Sequence, residues 1–172
     1  MACSLYSQAL GFRQPSPPDH RLLLSELLTP DRIRVPIQAG DKPGVLQELS
    51  RLLAERSGGD YADILAAVRE REEVLSTGIG FGIAIPHAKS PTVRELSLVS
   101  GSRPDAVPFD ALDGDPVRLF FLLVGPESAA GQHVKALSRI ARLVRRESVR
   151  EALLAAPTPD AFHQVLVDAE GR

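Results

Sequence analysis

The 172-residue chain is predicted to fold as a single α/β domain, a layered sandwich whose mixed, mostly parallel sheet is flanked by helices on both faces. Three observations predict it. Strand-like and helix-like segments alternate along the chain, as they do in layered α/β folds. Residues 117–124, "VRLFFLLV", are almost wholly apolar, which suits a central strand covered on both sides. Finally, 44% hydrophobic residues over this length are enough for one core and too few residues for two domains.

The elements follow in order. Residues 1–20 carry Pro15, Pro17 and Pro18 among polar residues and are expected to form a flexible N-terminal extension, leaving 21–170 as the domain. After "RLLLSELL" and the turn "TPDR", Ile33, Val35 and Ile37 alternate as in a half-buried strand. Asp41 and Pro43 then start a helix whose apolar positions, Val45, Leu46, Leu49, Leu52 and Leu53, recur at helical spacing until Gly58 and Gly59 stop it. A second helix over about 60–73 turns Ile64, Leu65 and Val68 to one face. A glycine-rich segment leads into a strand through Ile85, "LSLVSGS" reads as another, and "DALDGDP" connects it to the central strand. A long helix is predicted over about 129–146, then two shorter ones, the last with Thr158 as N-cap and Pro159 at its first position.

Bulk properties exclude several functions. A formal net charge of −2 gives no basic footprint for nucleic acid. The single Cys3 rules out a disulfide within the chain and favours a reducing setting, the apolar runs are too short to span a bilayer, and no signal-peptide pattern opens the sequence. A cytoplasmic protein without direct membrane insertion is the expectation.

The chemistry concentrates in "STGIGFGIAIPHAKS", residues 76–90. Pro86 has no N–H and pushes Ile85 into an extended conformation, so the ladder should weaken there and present His87 at the exit of its strand. Ligands of open α/β sheets gather at such strand ends, and imidazole is both nucleophilic and partly neutral near pH 7. An ordinary polar loop residue is the bland alternative. Gly78, Gly80 and Gly82 either let backbone N–H groups approach an anion or make room for neighbouring side chains. They precede a strand instead of opening a helix, so a dinucleotide fingerprint fails on context, and no Walker-type lysine follows. His133 continues the apolar stripe Leu137, Ile140, Val144, so it faces inward near the start of its helix, as a core histidine or as a partner of His87. His20 and His163 have no comparable context. Zinc hydrolysis lacks a compact ligand motif such as His-Glu-x-x-His, and neither metal nor cofactor is expected.

"REREEVLSTGIGFGIAIPHAKS" followed by "GQHVKALSRIARLV" resembles the enzyme IIA domain of the fructose/mannitol class in the bacterial phosphoenolpyruvate-dependent phosphotransferase system, in the variant of the stand-alone nitrogen-regulatory IIA proteins. The resemblance covers roughly residues 22–167. It implies that His87 accepts a phosphoryl group, through Nε2, from the histidine-phosphorylated carrier HPr or its nitrogen-branch counterpart. It also implies that His133 hydrogen-bonds the phosphoryl oxygens or orients the reacting ring, and that Arg71 neutralises charge. Ser76, Thr77 and Gly78 are candidate phosphate contacts, with turn or strand roles as the alternative. "REREE" around Arg71 is otherwise a solvated charge run. Two roles stay open: regulation of target proteins by phosphorylation state, which is favoured because the chain carries no fused IIB or IIC domain, and relay to a separate IIB domain for sugar uptake.

Overall fold

The computed structural model describes residues 21–171; the expected extension over 1–20, with Cys3 and His20, lies outside them. The described residues form α1 (Leu24–Leu27), β1 (Ile33–Arg34), α2 (Lys42–Ser57), α3 (Tyr61–Val74), β2 (Gly78–Gly80), β3 (Ile83–Ala84), β4 (His87–Lys89), β5 (Ser97–Val107), β6 (Val117–Gly125), α4 (Ala130–Val144), α5 (Glu147–Ala155) and α6 (Pro159–Glu170). Helix boundaries follow local chemistry. The Asp41 carboxylate accepts from the Gly44 N–H at 2.8 Å to open α2, and Gly58, left-handed at φ 74°, closes it. Asp60 and Thr158 cap α3 and α6 in the same way, by accepting from the N–H groups of Asp63 and Ala161.

The strand order is β1-β5-β6-β3-β2, with β4 also paired to β6. Three pairings, β1–β5, β3–β6 and β4–β6, are parallel; β5–β6 and β2–β3 are antiparallel. The sheet is thus mixed, and β6 is its centre, as its apolar run predicts. Alternate residues of β6 feed two cores. Phe120, Leu122 and Val124 pack with Leu49, Leu53, Ile64 and Val68 of α2 and α3. Leu119, Phe121 and Leu123 pack with Ile140, Leu153 and Phe162 of α4, α5 and α6. Phe120 and Phe121 have no exposed surface, so each contributes on the order of 1.5–3 kcal/mol of hydrophobic stabilisation.

Three expectations are corrected. The strand expected over 33–37 keeps ladder pairing only at Ile33 and Arg34, because Pro36 cannot donate; Ile37 rejoins β5 through one bond to the Ser102 carbonyl. β5 runs past Ser102 to Val107, with an irregular stretch, residues 103–106, whose proline and lack of alternating apolar residues hide it from a pattern reading. Most relevant to function, His87 does not sit at a strand exit: pairing stops at Ala84, skips Ile85 and Pro86, and resumes at His87 as β4. The offset against β6 is unchanged across the gap, Ala84 facing Phe120 and His87 facing Leu123, so β3 and β4 are one strand with a proline interruption.

Among the described residues, no helix is long and apolar enough to cross a membrane.

Candidate functional site

The site forms where β4 leaves the hairpin behind. β2 pairs only with β3, so at the level of His87 the strand has β6 on one side and, among the described residues, no strand on the other. The end of α3 packs against β4, and the first turn of α4, which follows β6, brings His133 to the His87 ring. An open cleft of ≈ 510 Å³ results, lined by Arg71 and Val74 of α3, His87 and Lys89 of β4, and His133 and Leu137 of α4.

His87 is fixed by its own backbone. Its Nδ1 lies 2.9 Å from the Ile85 carbonyl oxygen, which only accepts, so Nδ1 carries the proton and donates. Nε2 is left with the lone pair. Burial holds the His87 pKa below its ordinary 6.5; the Ile85 hydrogen bond opposes that shift, Arg71 adds to it, and Glu72 opposes it. The ring is therefore neutral, with a defined tautomer, at neutral pH.

His133 is 5% exposed, and its ring meets that of His87 edge-on, with centroids 5.8 Å apart. Its pKa is also held below 6.5, first by burial and then by the neighbouring His87 and Lys89. Its Nδ1 is buried and makes no hydrogen bond among the described residues, an arrangement that ordinarily costs about 1–3 kcal/mol. Lys89 is tied at 2.9 Å to Glu127, just ahead of α4.

Arg71 donates to the Leu75 carbonyl at 2.9 Å, which folds its guanidinium over the end of α3 and into the cleft wall. The structure thus brings together His87, His133 and Arg71. Ser76, Thr77 and Gly78 do not line this cleft, and their polar groups are engaged elsewhere. The Ser76 hydroxyl donates to the Phe109 carbonyl and accepts from the Gly78 N–H; the Thr77 hydroxyl and N–H both donate to the Glu72 carboxylate. A Cβ on Gly78 would stand 2.7 Å from that of Ala111, so this glycine permits a close approach of chains. Gly80 and Gly82, at φ 98° and 72°, build the hairpin turn. His163 is remote, its Nε2 donating to the Ser25 carbonyl.

Sequence reasoning passed over Glu72. It is 7% exposed and paired with Lys42 of α2 at 3.0 Å. The signal was present: Glu72 follows Ile64 and Val68 at intervals of four, a carboxylate on an apolar stripe.

Comparison with known proteins bears on this arrangement. The family model described as "Phosphoenolpyruvate-dependent sugar phosphotransferase system, EIIA 2" matches residues 26–169. The chain is 41% identical to a nitrogen regulatory protein of Pseudomonas aeruginosa, over 86% of this chain and 96% of that one. It is 37% identical to the PTS system fructose-specific EIIABC component of Bacillus subtilis, over 83% of this chain but 23% of that larger protein. The crystal structure of nitrogen regulatory protein IIA-Ntr from Neisseria meningitidis superposes with a TM-score of 0.78 at 33% identity, over 83% of this chain and 97% of that one.

Proposed function

The chain belongs to the EIIA 2 family of the phosphoenolpyruvate-dependent phosphotransferase system, and from that premise we propose that it is a phosphoryl carrier that uses Nε2 of His87 as acceptor and acts in the nitrogen-regulatory manner. The observation that carries the reading is the fixed tautomer: Nδ1–H is held by the Ile85 carbonyl, so the nucleophilic lone pair sits on Nε2.

The transfer follows from that geometry. The Nε2 lone pair attacks the phosphorus of a phosphohistidine on the donor, the new N–P bond forms as the old one breaks, and the departing electron pair returns to the donor ring. No proton needs to move. The ring gains cationic character, which the Ile85 carbonyl stabilises through Nδ1–H. Arg71 compensates charge on the phosphoryl oxygens, and an N–H of His133, whose ring lines the cleft beside His87, supplies a further donor. Exposed Val74 beside the cleft offers an apolar rim to a docking protein.

The donor we assign is HPr or its nitrogen-branch homologue, and the output is a set of regulatory target proteins. Relay to a separate IIB domain for fructose- or mannitol-type uptake is the second reading, supported by the likeness to the fructose-specific component of Bacillus subtilis. The higher identity to the Pseudomonas aeruginosa regulatory protein, over nearly the full length of both chains, favours regulation.

Incubation with phosphoenolpyruvate, enzyme I and each HPr-type donor, followed by mass analysis, tests the proposal. One acid-labile phosphoryl group is expected, absent from His87→Ala. Undiminished labelling of His87→Ala would refute the assignment.

A further inference from the structure

The carrier reading names three side chains at the cleft but leaves unexplained an ion pair behind it, between buried Glu72 and half-buried Lys42. The Glu72 carboxylate receives three donors: the Lys42 ammonium at 3.0 Å, the Thr77 N–H at 3.0 Å and the Thr77 hydroxyl at 2.5 Å. Lys42, on the first turn of α2, also donates to the Phe109 carbonyl and lies over the Phe109 ring. A buried ion pair seldom stabilises a fold more than well-packed apolar residues of the same volume. Its position points to another use.

Thr77 is the link. Its carbonyl accepts the Ile85 N–H at 3.0 Å, and the Ile85 carbonyl in turn accepts the Nδ1 proton of His87 at 2.9 Å. Ile85 and Pro86 form no ladder bridge with β6, although the Pro86 carbonyl takes the Leu123 N–H. The residue whose carbonyl orients the imidazole is therefore held through its N–H by Thr77, and Thr77 is held by Glu72. We infer that Glu72, held by Lys42, is a positioning residue that fixes the tautomer and aim of His87 through Thr77 and Ile85. The inference rests on the carrier reading for its importance, but not for its test. Helix α3 then contributes two adjacent residues with separate tasks: Arg71 lines the cleft itself, and Glu72 anchors the strand that delivers the nucleophile.

Glu72 also acts on His87 by charge. The charged and titratable groups facing His87 are Arg71 and Glu72 from α3 and His133 from α4, with Lys89 of β4 acting on His133; of these, Glu72 favours the protonated ring. Charge and hydrogen bonding can be separated by substitution. A glutamine at 72 still accepts from the Thr77 N–H and can donate to its hydroxyl, but carries no charge.

Long-range proton–nitrogen NMR of the histidine rings in the full chain is the decisive measurement, because it needs no phosphorylation. The wild type should show His87 as a single Nδ1–H tautomer. In Glu72→Ala the Nε2–H form should appear, the His87 pKa should fall, and phosphoryl transfer should slow about tenfold, the loss expected from one hydrogen bond's worth of aim. Glu72→Gln should restore most of the rate and the tautomer but not the pKa. A folded Glu72→Ala with wild-type tautomer, pKa and rate overturns the inference. Should Glu72→Ala fail to fold, Thr77→Val, which removes only the hydroxyl contact, decides: a mixed tautomer supports the inference and an unmixed one overturns it. If the wild type accepts no phosphoryl group, the carrier reading falls, while the tautomer comparison still judges the role of Glu72.

Discussion

The Nδ1 of His87 donates to the carbonyl oxygen of Ile85 at 2.9 Å, across a proline that has no N–H of its own to offer that carbonyl's neighbours. One short bond thereby decides which nitrogen of the ring is proton-free, and it does so with backbone, which no side-chain substitution can remove directly.

The pH dependence of phosphoryl acceptance follows. Burial and Arg71 hold the His87 pKa below 6.5, so the ring stays unprotonated to lower pH than a free histidine. The acceptance rate should be flat above pH 6.5 and fall only on the acid side of it, as protonation removes the Nε2 lone pair. Rapid-quench labelling against pH, with the donor already phosphorylated, measures this; an acid limb above 6.5 would contradict it.

Arg71 should matter through both charge and fork. Charge-assisted hydrogen bonds are worth roughly 1.5–3 kcal/mol, so Arg71→Ala should slow acceptance about 10- to 100-fold while leaving the labelled residue unchanged. Arg71→Lys, keeping the charge but not the planar pair of donors, should fall between. Single-turnover rates with a phosphorylated donor give the comparison.

His133→Gln should still accept phosphate but pass it on more slowly, because a donor to the phosphoryl oxygens has been altered while the acceptor remains. The same variant has a stability signature. The folded-state pKa of His133 lies below its ordinary 6.5, so the unfolded chain binds the proton first as pH falls through 6.5. The contribution is present above that pH and lost below it. Denaturation midpoints should therefore decline less steeply under acid in His133→Gln than in the wild type.

Gly78→Ala tests the packing behind the site. The added Cβ would meet the Ala111 Cβ at 2.7 Å and its Cα at 2.8 Å, and the backbone atom cannot swing away. A loss of about 1–3 kcal/mol, the usual cost of overpacking, should appear in urea unfolding. An unshifted midpoint would mean that the 78 and 111 segments part easily.

Legibility in the sequence tracks how local each cause is. Asp41, Asp60 and Thr158 cap their helices with N–H groups three residues on, so the boundaries of α2, α3 and α6 could be read from a few letters. The centrality of β6 was visible because burial on both faces leaves an unbroken apolar run. His133 was placed by its stripe, and its 5.8 Å ring contact with His87 agrees with that placement. The resumption of pairing after Pro86 was not legible, since the bonds that define β4 come from β6, far along the chain. Nor was the Lys42–Glu72 pair, whose members belong to different helices and look, in sequence, like surface charges. The stretch 103–106 inside β5 hid the strand for a related reason: it holds a proline and no alternating apolar residues, and pairing returns only at Val107 opposite Val117.

The unaltered offset across Pro86 has one more consequence, which is a matter of parity. Odd and even positions of this strand look to opposite layers: Ile83 and Ile85 belong with α4, α5 and α6, whereas Ala84 and Ala88 belong with α2 and α3. Dropping or adding a single residue between Ala84 and His87 would exchange those allegiances and turn the His87 ring into the layer that Ala88 now occupies. The number of residues between Ala84 and His87 therefore decides which layer the His87 ring enters.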